Sequence, residues 1–196
     1  IDPLALAKKY LKNSRNGKIN VLYRQKKSYG RFCSKGSLSL QMIAREIRHT
    51  IAKDYYIDID IKNCHPVILS QLCKRDKVDC DELDEYIIHR EKLLKDLKIP
   101  RGEAKQLYLK LTNGGGYDDL DNLEYKTKHI KRYKREMKAL HTHFADKYKD
   151  DYKIHCKLKK NKGEDFNLKA SFMNKIMCNE ENKILMEIYN FVRKPK

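Results

Sequence analysis

The sequence predicts an α+β fold, helix-rich overall, in which a small antiparallel sheet accompanies a larger helical part. Three observations predict it. Two short β-prone runs, 19–25 and 28–40, are broken by Gly30 and Gly36. A third run, 55–61 (YYIDIDI), alternates apolar and acidic side chains. From Asp81 onward, apolar residues recur at helical spacing. A length of 196 residues suits one domain, or one domain with an embedded subdomain, and can bury a sizeable core.

Taken in order, residues 1–12 read as the end of a helix and Asn13–Asn20 as a polar turn. The two β-prone runs then form a ribbon that leads into a helix over 41–52. On a strand, the alternation in 55–61 places Asp58 and Asp60 on one face and Ile57, Ile59 and Ile61 on the other. Residues 63–73 read as a turn and helix, and 80–97 as a second helix. Pro100 opens a third, because a missing N–H does no harm in a first turn. That helix should end at Asn113-Gly114. A long basic amphipathic helix is predicted over 123–148, a hairpin or loop with a Lys-rich tip over 152–168, and a closing helix over 169–192.

The chain carries 44 Lys plus Arg against 27 acids, a formal charge of +17, so a nucleic acid is the first partner to consider. Ribosomal, histone-like and membrane-surface proteins are basic too, and charge alone does not choose among them. With 13 Tyr and 5 Phe in periodic segments, the chain reads as folded despite 36% charged residues. Its six cysteines form no CxxC pair and no secretory leader opens the chain, which indicates neither a disulfide framework nor a zinc ribbon. Reduced thiols in a cytosolic or nuclear setting are expected, with no membrane attachment, since no apolar run approaches the roughly 18 residues a span requires.

Two aspartates on one strand face of a basic protein repel unless a cation sits between them. Hard oxygen ligands favour Mg²⁺ or Mn²⁺, so Asp58 and Asp60 are the candidate metal ligands, with an ordinary solvent-facing edge strand as the alternative. Arg101 and Lys105 are four residues apart on the predicted helix, on one face and about 6 Å apart along the axis, with Leu109 a turn further. Such a row suits a triphosphate: arginine offers a planar fork and lysine a mobile point charge. The glycine run 114–116 should end that helix and let backbone approach a ligand or template base closely. Pro66 should hold His65 extended. In the cluster 128–138, Lys131 and Arg132 are candidates for phosphate contact and Tyr133 for stacking on a base, against the reading of a solvated basic face. His89, His129, His141, His143 and His155 are given no role.

The order and spacing of these segments resemble the motifs of family A DNA polymerases and the phage-type RNA polymerases. Residues 29–41 are similar to the family's T-G-R…L-Q segment through Gly30, Arg31, Leu40 and Gln41, with Tyr29 replacing the threonine. Residues 60–66 (DIKNCHP) look like motif A, and Arg101, Lys105 and Gly114 match motif B, where Leu109 and Asn113 stand at aromatic positions. The form of motif A and the N-G-G ending resemble the divergent transposon and virus branch, a primase-polymerase often fused to a superfamily 3 helicase. The resemblance implies a palm with an antiparallel sheet (about 18–75 and 150–196) and helical fingers (about 76–149) within one polymerase core. It also implies template-directed nucleotidyl transfer with Mg²⁺ or Mn²⁺ on a DNA template-primer. Asp60 would hold the metals, His65 would lie under the nucleotide sugar, and Arg101, Lys105, Leu109, Asn113 and Gly114 would contact the nucleotide. Arg31 and Gln41 would contact the primer terminus. A motif C aspartate is not found; it is expected beyond Lys196, with Asp58 in its place or a chain inactive as it stands as the alternatives. A metal-dependent nuclease and a non-catalytic DNA-binding module of a replication protein are the alternatives.

Overall fold

The computed structural model describes residues 2–25, 30–35, 38–57, 59–116 and 128–193. It divides into two units, Ile1–Lys62 and Asn63–Lys196. The first holds helix α1 (Pro3–Asn13), strands β1 (Tyr23–Gln25) and β2 (Phe32–Ser34), a 3-10 turn at Leu40–Met42 and helix α2 (Arg45–Ala52). Asp2 starts α1: its carboxylate accepts from the backbone N–H of Leu4 at 3.0 Å and of Ala5 at 3.3 Å, ahead of Pro3 in the first turn. The polar turn predicted after it closes through Asn16 and Gly17, both left-handed, and joins Arg15 to Lys18. β1 and β2 pair antiparallel with Tyr23 opposite Ser34 and Gln25 opposite Phe32.

The predicted strand over 55–61 is not formed among the described residues. Ile57 and Ile59 are 89% and 69% exposed, and Asp60 is exposed as well. Alternation says which side chains would share a face, but a strand also needs a neighbour for its ladder, and the described sheet contains only β1 and β2. Asp58 lies outside the described residues. A two-stranded antiparallel ribbon on a helix-rich chain agrees with the α+β expectation; the larger sheet bearing the aspartates is not present among the described residues.

The second unit is helical: α3 (Cys64–Asp76), α4 (Asp81–Asp96), α5 (Arg101–Thr112), α6 (Lys128–Lys147), α7 (Lys149–Lys160) and α8 (Leu168–Arg193). One core joins α3, α4, α5, α6 and α8 through Leu69, Leu83, Tyr108, Tyr133, Phe144 and Met173. Asp81, Glu82 and Asp84 lie in the first turn of α4, where the helix dipole favours acids, and Glu136 of α6 accepts from the N–H of Glu82 and Leu83 at 3.0 and 2.9 Å. The hairpin or loop expected over 152–168 is instead helix as far as Lys160, and a non-helical connection over 161–167 follows it. Tyr152 and His155, three apart, place their rings 5.4 and 5.5 Å from that of Phe172 on α8. Asp150 and Asp151 open α7 and Lys157, Lys159 and Lys160 close it, so the presumed Lys-rich tip is a helix C-terminus favourable to cations. Residues 123–127 of the predicted long helix lie outside the described residues.

Thr112, at the end of α5, is the hub of a buried polar network. Its hydroxyl donates to the Tyr108 carbonyl at 2.8 Å, which leaves Oγ1 to accept from the Tyr133 hydroxyl at 2.8 Å. The Thr112 carbonyl accepts from His141 Nε2 at 2.9 Å. Nearby, His129 Nε2–H faces the Glu82 carbonyl at 3.3 Å, so Nδ1 accepts from the Tyr108 hydroxyl at 3.0 Å. Burial lowers the pKa of His141 below its ordinary 6.5, partly offset by the bond to Thr112. The unfolded chain therefore takes up a proton that the folded one refuses, and the His141 contribution is intact above pH 6.5 and lost as pH falls below it. Denaturant titrations at pH 7.5 and 5.5 should show a smaller stability loss in His141→Gln than in the parent; equal losses would contradict this assignment.

Candidate nucleotide and nucleic-acid site

The site begins with the two faces of α5. Ala104, Leu107, Tyr108 and Leu111 are buried, which turns Arg101, Lys105 and Leu109 outward along one exposed row. Arg101 grips Glu91 of α4 with its fork, Nε to Oε2 at 2.9 Å and Nη2 to Oε1 at 2.8 Å. Both partners are more than 60% exposed, and an ion pair in water holds its partners weakly enough to be exchanged for a phosphate. Lys105 is exposed beside it.

At the end of the row, Asn113 is anchored to α8. Its Oδ1 accepts from Asn174 Nδ2 at 2.9 Å, and its carbonyl accepts from Asn167 Nδ2 at 2.8 Å. Its own Nδ2 donates to the Leu109 carbonyl at 2.8 Å. Gly114 is left-handed, with φ 76°, and a Cβ there would lie 2.5 Å from Ala170 Cβ and 2.6 Å from Asn167 Oδ1. The close backbone approach foreseen for the glycine run is thus made to α8.

The other predicted residues fall in different places. Asp60 is exposed in the non-helical segment that follows α2. Arg31 is exposed beside β2, and Gln41 is engaged with the same ribbon: Nε2 donates to the Phe32 carbonyl at 3.1 Å and Oε1 accepts from Ser34 N–H at 3.2 Å. Lys131 is exposed, and Arg132 pairs with Glu82 and Glu85. Tyr133, a candidate for base stacking, is wholly buried, with its ring 5.1 Å from that of Tyr108 and 5.6 Å from that of Tyr86. It falls on the same helical face as Ile130, Met137 and Leu140, so the basic residues around it define the outer side of α6 and not its own environment.

His65 lies in the first turn of α3 and is not extended; a proline within that turn costs no helical hydrogen bond, and helix formation overrides the bias toward extended backbone that Pro66 places on its neighbour. Its Nε2, the atom expected at the nucleotide sugar, faces Glu181 Oε2 at 3.1 Å and Cys178 Sγ at 4.0 Å. Neither of these α8 residues was singled out from the sequence, and 113 and 116 residues of separation leave no local signal for either contact.

No family model matches the chain, and no solved structure matches it. It is 34% identical over 199 aligned positions to a protein of the Sputnik virophage described as "Putative helicase V13". The match takes in 95% of this chain and 25% of the virophage protein, so the chain spans about a quarter of that relative's length. No described helix is long and apolar enough to cross a membrane.

Two glycines test the geometry of α5 in opposite directions. Gly102 is exposed with nothing within 4 Å of an added Cβ, so Gly102→Ala should stabilise by roughly 0.5–1 kcal/mol. Gly114→Ala should destabilise by about 1–3 kcal/mol through its left-handed backbone alone, before the clash with Ala170 is counted. Urea denaturation midpoints check both signs.

Proposed function

We propose that this chain is a nucleotidyltransferase module, a DNA polymerase or primase-polymerase that serves replication of a viral or mobile element within a larger protein that also carries a helicase. The observation that carries the reading is the outward row Arg101–Lys105–Leu109, which ends at the Asn113–Gly114 turn and has the spacing of the triphosphate-binding helix in the polymerases the sequence resembles. The ordered match at 29–41 and 60–66 supports it. So does the description of the virophage relative as a helicase, a replication-linked activity, of which this chain matches only a quarter.

In this reading Arg101 releases Glu91 and takes the β- and γ-phosphates together with Lys105. Asp60 would hold Mg²⁺ or Mn²⁺. Its exposed carboxylate fits in kind, because Mg²⁺ takes one or two protein carboxylates, substrate phosphates and several waters. Such an ion would supply charge neutralisation for phosphoryl transfer and would acidify a hydroxyl nucleophile. The protein's own part is positioning: Thr112 and Asn113 fix the rotation of α5, and with it the direction in which the two cations point.

A second reading, a non-catalytic DNA-binding module, is favoured by the lack of strand pairing among the described residues of 55–61. Primer extension by the natural protein that carries this chain separates the readings. Asp60→Ala should lower template-directed incorporation by at least about 100-fold with duplex affinity nearly unchanged. Normal extension by that variant would remove Asp60 from the chemistry. Steeply salt-dependent DNA binding without nucleotide or Mn²⁺ binding would establish the non-catalytic reading. Shortening of a labelled duplex by Mg²⁺ without nucleotides would indicate a nuclease.

A further inference from the structure

His65, Cys178 and Glu181 bring three different metal-binding groups to one point between α3 and α8. Cys178 and Glu181 are three residues apart, hence on one face of α8, and His65 reaches them from the first turn of α3. Their ligand atoms all lie within 4.8 Å of one another, with His65 Nε2 3.1 Å from Glu181 Oε2 and 4.0 Å from Cys178 Sγ.

We propose that this triad is a zinc site that clamps the start of α3 to α8. Tetrahedral zinc, with bonds of about 2.0–2.1 Å to nitrogen and oxygen and about 2.3 Å to sulfur, sets its N and O ligands about 3.4 Å apart and its N and S ligands about 3.6 Å apart. The two distances from His65 Nε2 depart from those by a few tenths of an ångström, within the reach of small rotamer shifts. The donor set selects the metal: imidazole and thiolate suit zinc, whereas Mg²⁺ and Ca²⁺ require oxygen throughout. The side chains of His65 and Glu181 are only 12% and 20% exposed, so much of their hydration is already lost on folding. Asn174 Oδ1, 3.5 Å from Cys178 Sγ, or a water completes the coordination. Zinc binding releases the thiol proton of Cys178 to solvent and uses the lone pair of neutral His65 at Nε2, with the ring proton on Nδ1.

Among the described residues, the other cluster of this kind is Glu82, Glu85 and His129. There, both ring nitrogens of His129 are engaged, by the Tyr108 hydroxyl and the Glu82 carbonyl, and Arg132 pairs with both carboxylates. The zinc proposal does not depend on the polymerase reading, since a structural clamp would serve any function of this unit.

The test uses the complete chain, stripped with a chelator and titrated with Zn²⁺. One zinc per chain should bind, survive gel filtration and raise Tm. Cobalt substituted for zinc should show a thiolate-to-metal absorption band that Cys178→Ser abolishes and Cys33→Ser, at an exposed thiol in the other unit, leaves unchanged. Glu181→Gln and His65→Gln should weaken zinc binding by more than the roughly 10- to 100-fold that loss of an outer-shell partner costs. Circular dichroism establishes that each variant is folded. Absence of stoichiometric zinc, or equal zinc binding by Cys178→Ser, overturns the proposal. If Cys178→Ser does not fold, the parent decides: a one-to-one thiolate band supports the site and its absence refutes it.

Discussion

The burial of one face of α5 is the constraint on which the candidate site depends. Ala104, Leu107, Tyr108, Leu111 and Thr112 are inside, and Thr112 is bonded to Tyr133 of α6 while its carbonyl receives His141. Turning α5 by one residue, about 100°, would carry charged side chains of the outer row toward the tyrosine cluster. A buried cation without a partner costs several kcal/mol, so the rotation is fixed by the core and not by any ligand. The outward direction of Arg101, Lys105 and Leu109 is therefore a property of the folded chain before any nucleotide arrives, which is what preorganised binding requires.

Several acids of the second unit are paired within it. Glu82 and Glu85 meet Arg132, Glu91 meets Arg101, Asp76 meets Lys147, and Asp84 meets Lys74. With 27 acids for 44 Lys and Arg, a large positive excess remains to be met by counterions or a polyanion. A basic module that matches part of a larger viral protein is consistent with a role on nucleic acid, whichever chemistry it performs.

Helices were legible because their signals are local. Pro100 before α5 and the apolar spacing of α4 each place an element from residues within a few positions of it. The segment 55–61 misled for the complementary reason: its alternation is local, while strand formation depends on a neighbour that no local pattern specifies. The basic neighbours of Tyr133 suggest an exposed face, while the period it shares with Ile130, Met137 and Leu140 puts it in the core. The lysines of 152–168 obscure the Tyr152–His155 face in the same way. In the site, the Arg101–Lys105–Leu109 row could be read from spacing alone. The meeting of His65 with Cys178 and Glu181 could not, since helix packing brings together residues more than 110 positions apart.

The most direct test of the triphosphate-binding face is equilibrium titration of the chain with a nucleoside triphosphate and Mg²⁺, comparing the parent with Lys105→Ala. Lys105 is exposed and lies outside the core, so its loss should leave stability within about 0.5 kcal/mol. The account predicts saturable binding weakened at least about tenfold by the substitution, the loss of one charge-assisted contact to phosphate. Equal binding by both proteins, or no binding by the folded parent, would contradict it.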